Sequence, residues 1–217
     1  MLDGACIGSW VRRFAARTQH GAVLLGLALV LGGGAAAGGP AAPDSYGVPV
    51  PAGYRLQVLE ATDGRIAVPQ DWHYASHGTP SGWMYTFSPE DPAGEYQTGL
   101  RIQMFVGVEK ALKQSRQAFA QAFLRQQRAA AVQVLKDCPV EDFGKFQRQC
   151  LEVIQSLPHG SGEMRFHILY SLMWLKDMDI VAASTFGAPQ DQWDQVKEVT
   201  RHMAEFVLIG AHLGEQH

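Results

Sequence analysis

"EMRFHILYSLMWL", Glu163 to Leu175, decides how the chain folds. Phe166, Ile168, Tyr170, Leu172 and Trp174 alternate along it, and side chains two apart on a strand share a face. Leu169, Met173 and Leu175 make the opposite face apolar too. A strand that is apolar on both sides belongs in the middle of a sheet covered on both faces. The stretch therefore predicts a layered protein with a central antiparallel sheet.

The neighbours extend that sheet. "KDMD" (Lys176–Asp179) is a tight turn into a further strand, "IVAASTF". On the other side, "AVQVLKDC" and "KFQRQCLEVIQS" carry β-branched alternation, with "EDFG" between them. They predict a hairpin centred near Gly144. Nearer the N-terminus, "LQVLEA" and "RIAVP" flank the turn "TDG". "GWMYTFSP" sets Trp83, Tyr85 and Phe87 on one face, and "LRIQMFVGV" does the same for Leu100, Ile102, Met104, Val106 and Val108. The period then changes. In "KALKQSRQAFAQAFLRQQRAAA", Leu112, Phe119, Ala122, Phe123 and Ala130 follow helical spacing, which predicts one amphipathic helix of about five or six turns. The closing "APQDQWDQVKEVTRHMAEFVLIG" predicts a second helix, started by Pro189 and Asp191, with Trp193, Val196, Thr200, Met203 and Val207 as its buried stripe. The sum is an α+β fold: a single antiparallel sheet of about six or seven strands, flanked by a long central helix and a C-terminal helix.

The chain has 217 residues, and its first forty do not read as fold. Arg12, Arg13 and Arg17 precede the apolar run Gly21 to Leu31, and small residues follow, as in a secretory signal peptide. Cleavage is expected after Ala37. The apolar run is shorter than the roughly 20 residues a membrane span needs, and no cysteine follows it to take a lipid anchor. The expected organisation is a signal peptide over 1–37, a Pro/Gly/Ala-rich tether over 38–53, one domain over 54–210 and a tail over 211–217. Formal charge is −3 for the whole chain and becomes −5 when the signal segment's three arginines and Asp3 are set aside. A mildly acidic body without a basic cluster argues against nucleic acid as a partner and against anionic lipid surfaces. The expected location is periplasmic or secreted, with no stable membrane span after cleavage.

Compartment then decides what the cysteines are. Cys6 leaves with the signal segment, so Cys138 and Cys150 remain as an even pair, most simply a disulfide in an oxidising compartment. The hairpin centre near Gly144 sets the two opposite each other, within disulfide reach. The alternatives are two buried free thiols or a chemical role. A redox pair is more often Cys-x-x-Cys at a helix start, and zinc wants two further close ligands.

Three features resemble the PsbP-like sandwich, which also includes DcrB-like exported proteins. The first is a strand ending in Val-Pro and followed closely by Trp, "IAVPQDWHY", with Val68, Pro69 and Trp72. The second is the long helix between sheet halves. The third is the closing "WDQVKEVTRHMAEF" after a strand ending in "STFGAP". The resemblance covers roughly Leu56 to Leu208. It implies this fold and a non-catalytic accessory, assembly or binding role, and it brings no functional residue with it.

Candidate chemistry is sparse. His73 and His77 in "DWHYASH" are four apart, a spacing that converges ligands only on a helix, whereas their surroundings read as strand and loop. Glu90, Asp91 and Glu95 in "SPEDPAGEYQ" offer oxygen ligands without the alternation of a calcium loop. His159 and Ser161 in "LPHGSGE" lack the sharp elbow that exposes a nucleophilic serine. No catalytic residue, metal site or cofactor is assigned. Trp72, Tyr74 and Trp83 are the candidate lining of a ligand or partner groove, although aromatics at strand spacing are usually core. The expectation is a non-enzymatic binding or accessory module that recognises a protein or peptide partner in the cell envelope. The rival is a small exported metal-dependent hydrolase using His73 and His77 or Glu90, Asp91 and Glu95.

Overall fold

A computed structural model describes residues 48–91, 96–204 and 206–208. The expected signal segment, most of the tether and the tail lie outside the described residues. Among these described residues there are two antiparallel sheets and three helices. Strands β1 (Tyr54–Leu59) and β2 (Gly64–Pro69) form a hairpin, and β11 (Phe206–Val207) pairs with β2 to make a three-stranded sheet. The main sheet holds β3 (His73–Thr79), β4 (Gly82–Ser88), β5 (Gly99–Val106), β6 (Gln133–Asp137), β8 (Phe146–His159), β9 (Gly162–Leu175) and β10 (Ile180–Pro189). Its order is β3-β4-β5-β10-β9-β8-β6, and the two-residue β7 (Glu141–Asp142) joins β8 from the side.

The α+β class stands, but the single sheet expected from the sequence is corrected to two. The partition happens at Pro69. Proline has no N–H for the ladder, so β2 stops there. A turn closed by the Trp72 amide on the Pro69 carbonyl, 3.1 Å, then redirects the chain into β3. The Trp72 ring enters the core and stacks on Phe186, with ring centroids 6.2 Å apart. Alternation is the same in a small sheet as in a large one, so the pattern alone did not separate them.

The main sheet has two covered faces. On the front face, Leu59, Ile66 and Val68 of the small sheet pack on Tyr85, Phe87, Ile102 and Met104, all buried. On the back face, Phe119, Ala120 and Leu124 of a helix pack on Val153, Ile168, Tyr170, Leu172 and Val181. Each large side chain removed from water here contributes about 1.5–3 kcal/mol. The alternating row Phe166, Ile168, Tyr170, Leu172 and Trp174 is the back-face core of β9.

The long central helix is also corrected. It is two helices, α1 (Val108–Leu112) and α2 (Arg116–Ala129), and Lys113 between them has a left-handed backbone, φ 55. Ser115 accepts from the Ala118 amide at 3.1 Å and caps α2, a local bond that competes with continuing the first helix. Arg116 ties the restart to the sheet: it donates to Glu109 at 3.0 Å and to the carbonyls of Leu175, Lys176 and Met178 in the β9–β10 turn. The Asp179 carboxylate accepts the Glu109 amide at 3.0 Å and so caps α1 from across the chain.

The closing helix, α3 (Trp193–Met203), stops before the end of the expected stripe. Val207 is corrected from helix to strand: it pairs with Arg65 in β11. Trp193 docks α3 by stacking on His167, with centroids 3.7 Å apart, and by an edge contact with Phe186 at 5.9 Å.

Candidate functional site

The front face is closed unevenly. Over β4, β5 and β10 the small sheet covers it. Over β9, however, Leu169, Ser171, Met173 and Leu175 are only half-buried. Leu169, Met173 and Leu175 are the residues whose apolar character made β9 look covered on both sides. A three-stranded cover is narrower than an eight-stranded sheet, and the uncovered part is a cleft of ≈ 460 Å³. Leu169, Met173 and Phe186 form its floor. Met203 and Leu208 close it where α3 ends, and Phe143 and Phe146 form the opposite wall.

That wall is the hairpin between β6 and β8, and its rigidity has local causes. At the base, Cys138 and Cys150 are disulfide-bonded, with Cα atoms 5.0 Å apart, and the Cys138 amide donates to the Cys150 carbonyl at 3.0 Å. The register read from "EDFG" is the one observed. At the tip, Gly144 takes the left-handed conformation, φ 79, and its amide donates to Asp142 at 2.8 Å. Lys176 donates to both Asp142 oxygens at 2.7 and 2.8 Å, and this bond holds the Asp142 carboxyl below the usual aspartate value. Phe143 and Phe146 stack at 4.9 Å, and the Arg148 guanidinium lies 4.7 Å from the Phe143 ring centroid. Arg148 also donates to Glu141 at 2.7 Å. Among the described residues, Lys145 and Arg148 line the cleft and no carboxylate does.

The residues singled out from the sequence lie elsewhere. Trp72 is buried in the front core. Tyr74 is half-buried, stacks on Phe87 at 5.2 Å and donates its hydroxyl to Glu60. Burial, reinforced by Glu60, pushes the Tyr74 phenol up. Trp83 is exposed, opposite Gly78 of β3, whereas Tyr74 is opposite Phe87. Four residues of strand, about 13 Å, therefore separate the ends of the aromatic group. Trp72 and Tyr74 are adjacent at the start of β3, and Trp83 stands apart from both.

His73 and His77 are exposed on β3 and four residues apart along it, again about 13 Å. One metal ion cannot bridge that distance with bonds of about 2 Å. The Glu90 carboxylate accepts from the Ser88 hydroxyl at 2.6 Å and clips its own loop. Asp91 is exposed, and Glu95 lies outside the described residues. No group of three His, Cys, Asp or Glu able to hold a metal occurs among the described residues. No helix there is long and apolar enough to cross a membrane. His159 ends β8, its ring 3.3 Å from Gln97, and Ser161 sits in the turn beyond. The sequence reading missed Phe143, Phe146, Leu169 and Met173, because apolar residues at strand spacing look like core whether or not anything covers them.

No protein-family model matches the chain, and no curated protein matches it. Solved structures do. Mog1p, a Ran-binding protein of Saccharomyces cerevisiae, is 11% identical over 74% of this chain and 97% of its own, with a TM-score of 0.44. LpqN of Mycobacterium tuberculosis, involved in cell envelope biogenesis, is 11% identical over 71% and 89%, with a TM-score of 0.41. Cyanobacterial PsbP of Synechocystis is 14% identical over 71% of this chain and 92% of its own, with a TM-score of 0.44. At such values the likeness concerns the path of the backbone alone.

Proposed function

We propose that the protein is an exported, non-catalytic binding module that takes an apolar segment of a protein partner in the cell envelope into the front-face cleft. The observation that carries this is the half-open apolar floor of Leu169 and Met173, walled by a hairpin that a disulfide holds in place. A soluble domain gains by burying such a surface, so an uncovered one next to rigid walls suits a partner's side chains. Lys145, exposed at the rim, favours a segment with an acidic residue beside its apolar part. Export is supported by the basic and apolar N-terminal pattern and by the Cys138–Cys150 bond, which persists in an oxidising compartment. Trp83, exposed at the start of β4, offers a separate apolar contact, while Trp72 and Tyr74 hold the start of β3.

Site-specific photocrosslinking in cells tests this reading. A photoreactive residue at Phe143 should give a discrete crosslinked envelope protein. The same group at Arg125, exposed on α2 behind the sheet, should not. No crosslink from Phe143, or equal crosslinks from both positions, would defeat it.

A further inference from the structure

The back face holds a second cavity, independent of the cleft. It measures ≈ 240 Å³ and lies between α2 and the main sheet. Small residues make the room: Ala183 and Gly187 on β10 present little or no side chain where their neighbours present large ones. The walls are aromatic. Phe105 and Phe119 meet edge to face with centroids 5.0 Å apart, and Phe123 meets Tyr170 in the same way at 6.1 Å. Ala122 and Gln126, exposed on α2, mark the mouth.

The polar groups around this space offer little to a charged ligand. Tyr170 donates to the Gln155 side-chain carbonyl at 3.0 Å, and the Gln155 amide donates to the Gln127 backbone carbonyl at 3.0 Å, so that chain is internally satisfied. Burial pushes the Tyr170 phenol up, and it stays a neutral donor. The Gln97 and His159 side chains are bonded to each other at 3.3 Å. Arg101 is the one charged residue of the lining among those described. It is engaged: it donates to the Tyr96 hydroxyl, and its guanidinium lies 5.6 Å from that ring's centroid. The buried Gln103 Nε2 is closed off from the space, so a ligand cannot reach it.

We infer that this cavity is a binding site for an uncharged, flat aromatic molecule of about two fused rings. Neutrality follows from the engaged polar groups, because an ion taken from water into such a space would lack a partner. The size follows from the volume. An apolar cavity of about 150 Å³ holds benzene, and this one is about one and a half times as large. The shape follows from the walls. Rings already packed edge to face present faces and edges that suit another ring system, and a rigid molecule has no internal rotation to lose on binding. The cavity is formed without the ligand, as small-molecule sites usually are.

Calorimetry on the purified, disulfide-bonded protein tests this with three probes that share one ring system: 2-naphthol, 2-naphthoate and 2-naphthylmethylamine, neutral, anionic and cationic at pH 7. The neutral probe should bind saturably at one site and raise Tm with concentration. Both charged probes should bind at least tenfold more weakly, and so should 1-octanol, which is neutral but flexible. Two substitutions fill the space from β10. A Cβ at Gly187 would make only ordinary contacts, the nearest 3.6 Å from the Ile168 side chain, so Gly187→Leu fits. Ala183→Leu fills the cavity from a second position on the same strand. Each should weaken 2-naphthol at least tenfold, and at least one should melt no lower than wild type. No saturable 2-naphthol binding, equal binding of a charged probe or of octanol, or unchanged 2-naphthol affinity in a folded filling variant would each overturn the inference. A lower Tm in both variants would overturn it too, since the space would not be there to fill. The Phe143 crosslink is on the opposite face and is unaffected by any of these results.

Discussion

Replacing Cys138 and Cys150 together by serine should destabilise the protein without unfolding it. The bond closes a loop over a sequence separation of 12. On the chain-entropy relation, ΔS ≈ −2.1 − 1.5R ln n cal/mol/K, such a loop gives about 9.5 cal/mol/K, or about 2.8 kcal/mol at 25 °C. A domain of this size loses about 2–4 °C of Tm per kcal/mol, so the expected fall is about 6–11 °C. The loss stays below the roughly 5–15 kcal/mol that domains hold in reserve. The register should survive, because the Cys138 amide still donates to the Cys150 carbonyl and Glu141 still pairs with Arg148. Thiol counting on the denatured, unreduced wild type gives the oxidation state, and a melting curve of the double variant gives the magnitude. An intact mass of the same sample reads the N-terminus, expected just after Ala37. Two free thiols in the exported wild type, or a Tm unchanged by the double substitution, would refute the reasoning.

Trp193→Ala removes the ring stacked on His167 and packed on Phe186. Because the ring is half-buried, the expected cost is about 2–3 kcal/mol, below the range for a fully buried Trp, and a melting curve should fall by about 4–12 °C; a shift within error would make α3 peripheral. Asp142, held down by Lys176, should titrate below the ordinary aspartate value in a carboxyl NMR titration, and Lys176→Met should bring it back up. The sign follows from the depressed folded pKa: the tip's contribution is present above the unfolded aspartate value and is lost as pH falls through the folded one. A midpoint at or above the ordinary value would contradict the bond.

Much of this fold was legible because β8 and β9 are long and doubly patterned. Their fourteen-residue strands pair from Phe146 opposite Leu175 to His159 opposite Gly162, and nearly every position declares its face. The disulfide was legible for the same reason, since Gly144 marks the turn and the register follows. The sheet count was not, because the alternation in Leu56–Leu59 and Ile66–Val68 says which side is apolar and not which sheet lies beneath. The helix break was legible in principle at Ser115, a good N-cap, but amphipathic spacing runs through it undisturbed. The cleft was invisible: Leu169 and Met173 have the sequence signature of core, and only the width of the small sheet leaves them half-bare.

The central claim is that the front-face cleft holds the partner, and Met173 is the residue to change. It lies half-buried on the floor, across β9 and β10 from Ala182. Met173→Glu introduces a carboxylate where the partner's apolar side chains would sit, and the partly open site leaves that charge access to water. The measurement is the yield of the Phe143 photocrosslink in wild-type and Met173→Glu backgrounds, at matched protein levels and with the fold verified by melting. The account predicts that the crosslink falls at least tenfold while the protein stays folded and exported. An unchanged yield from the folded variant would contradict it.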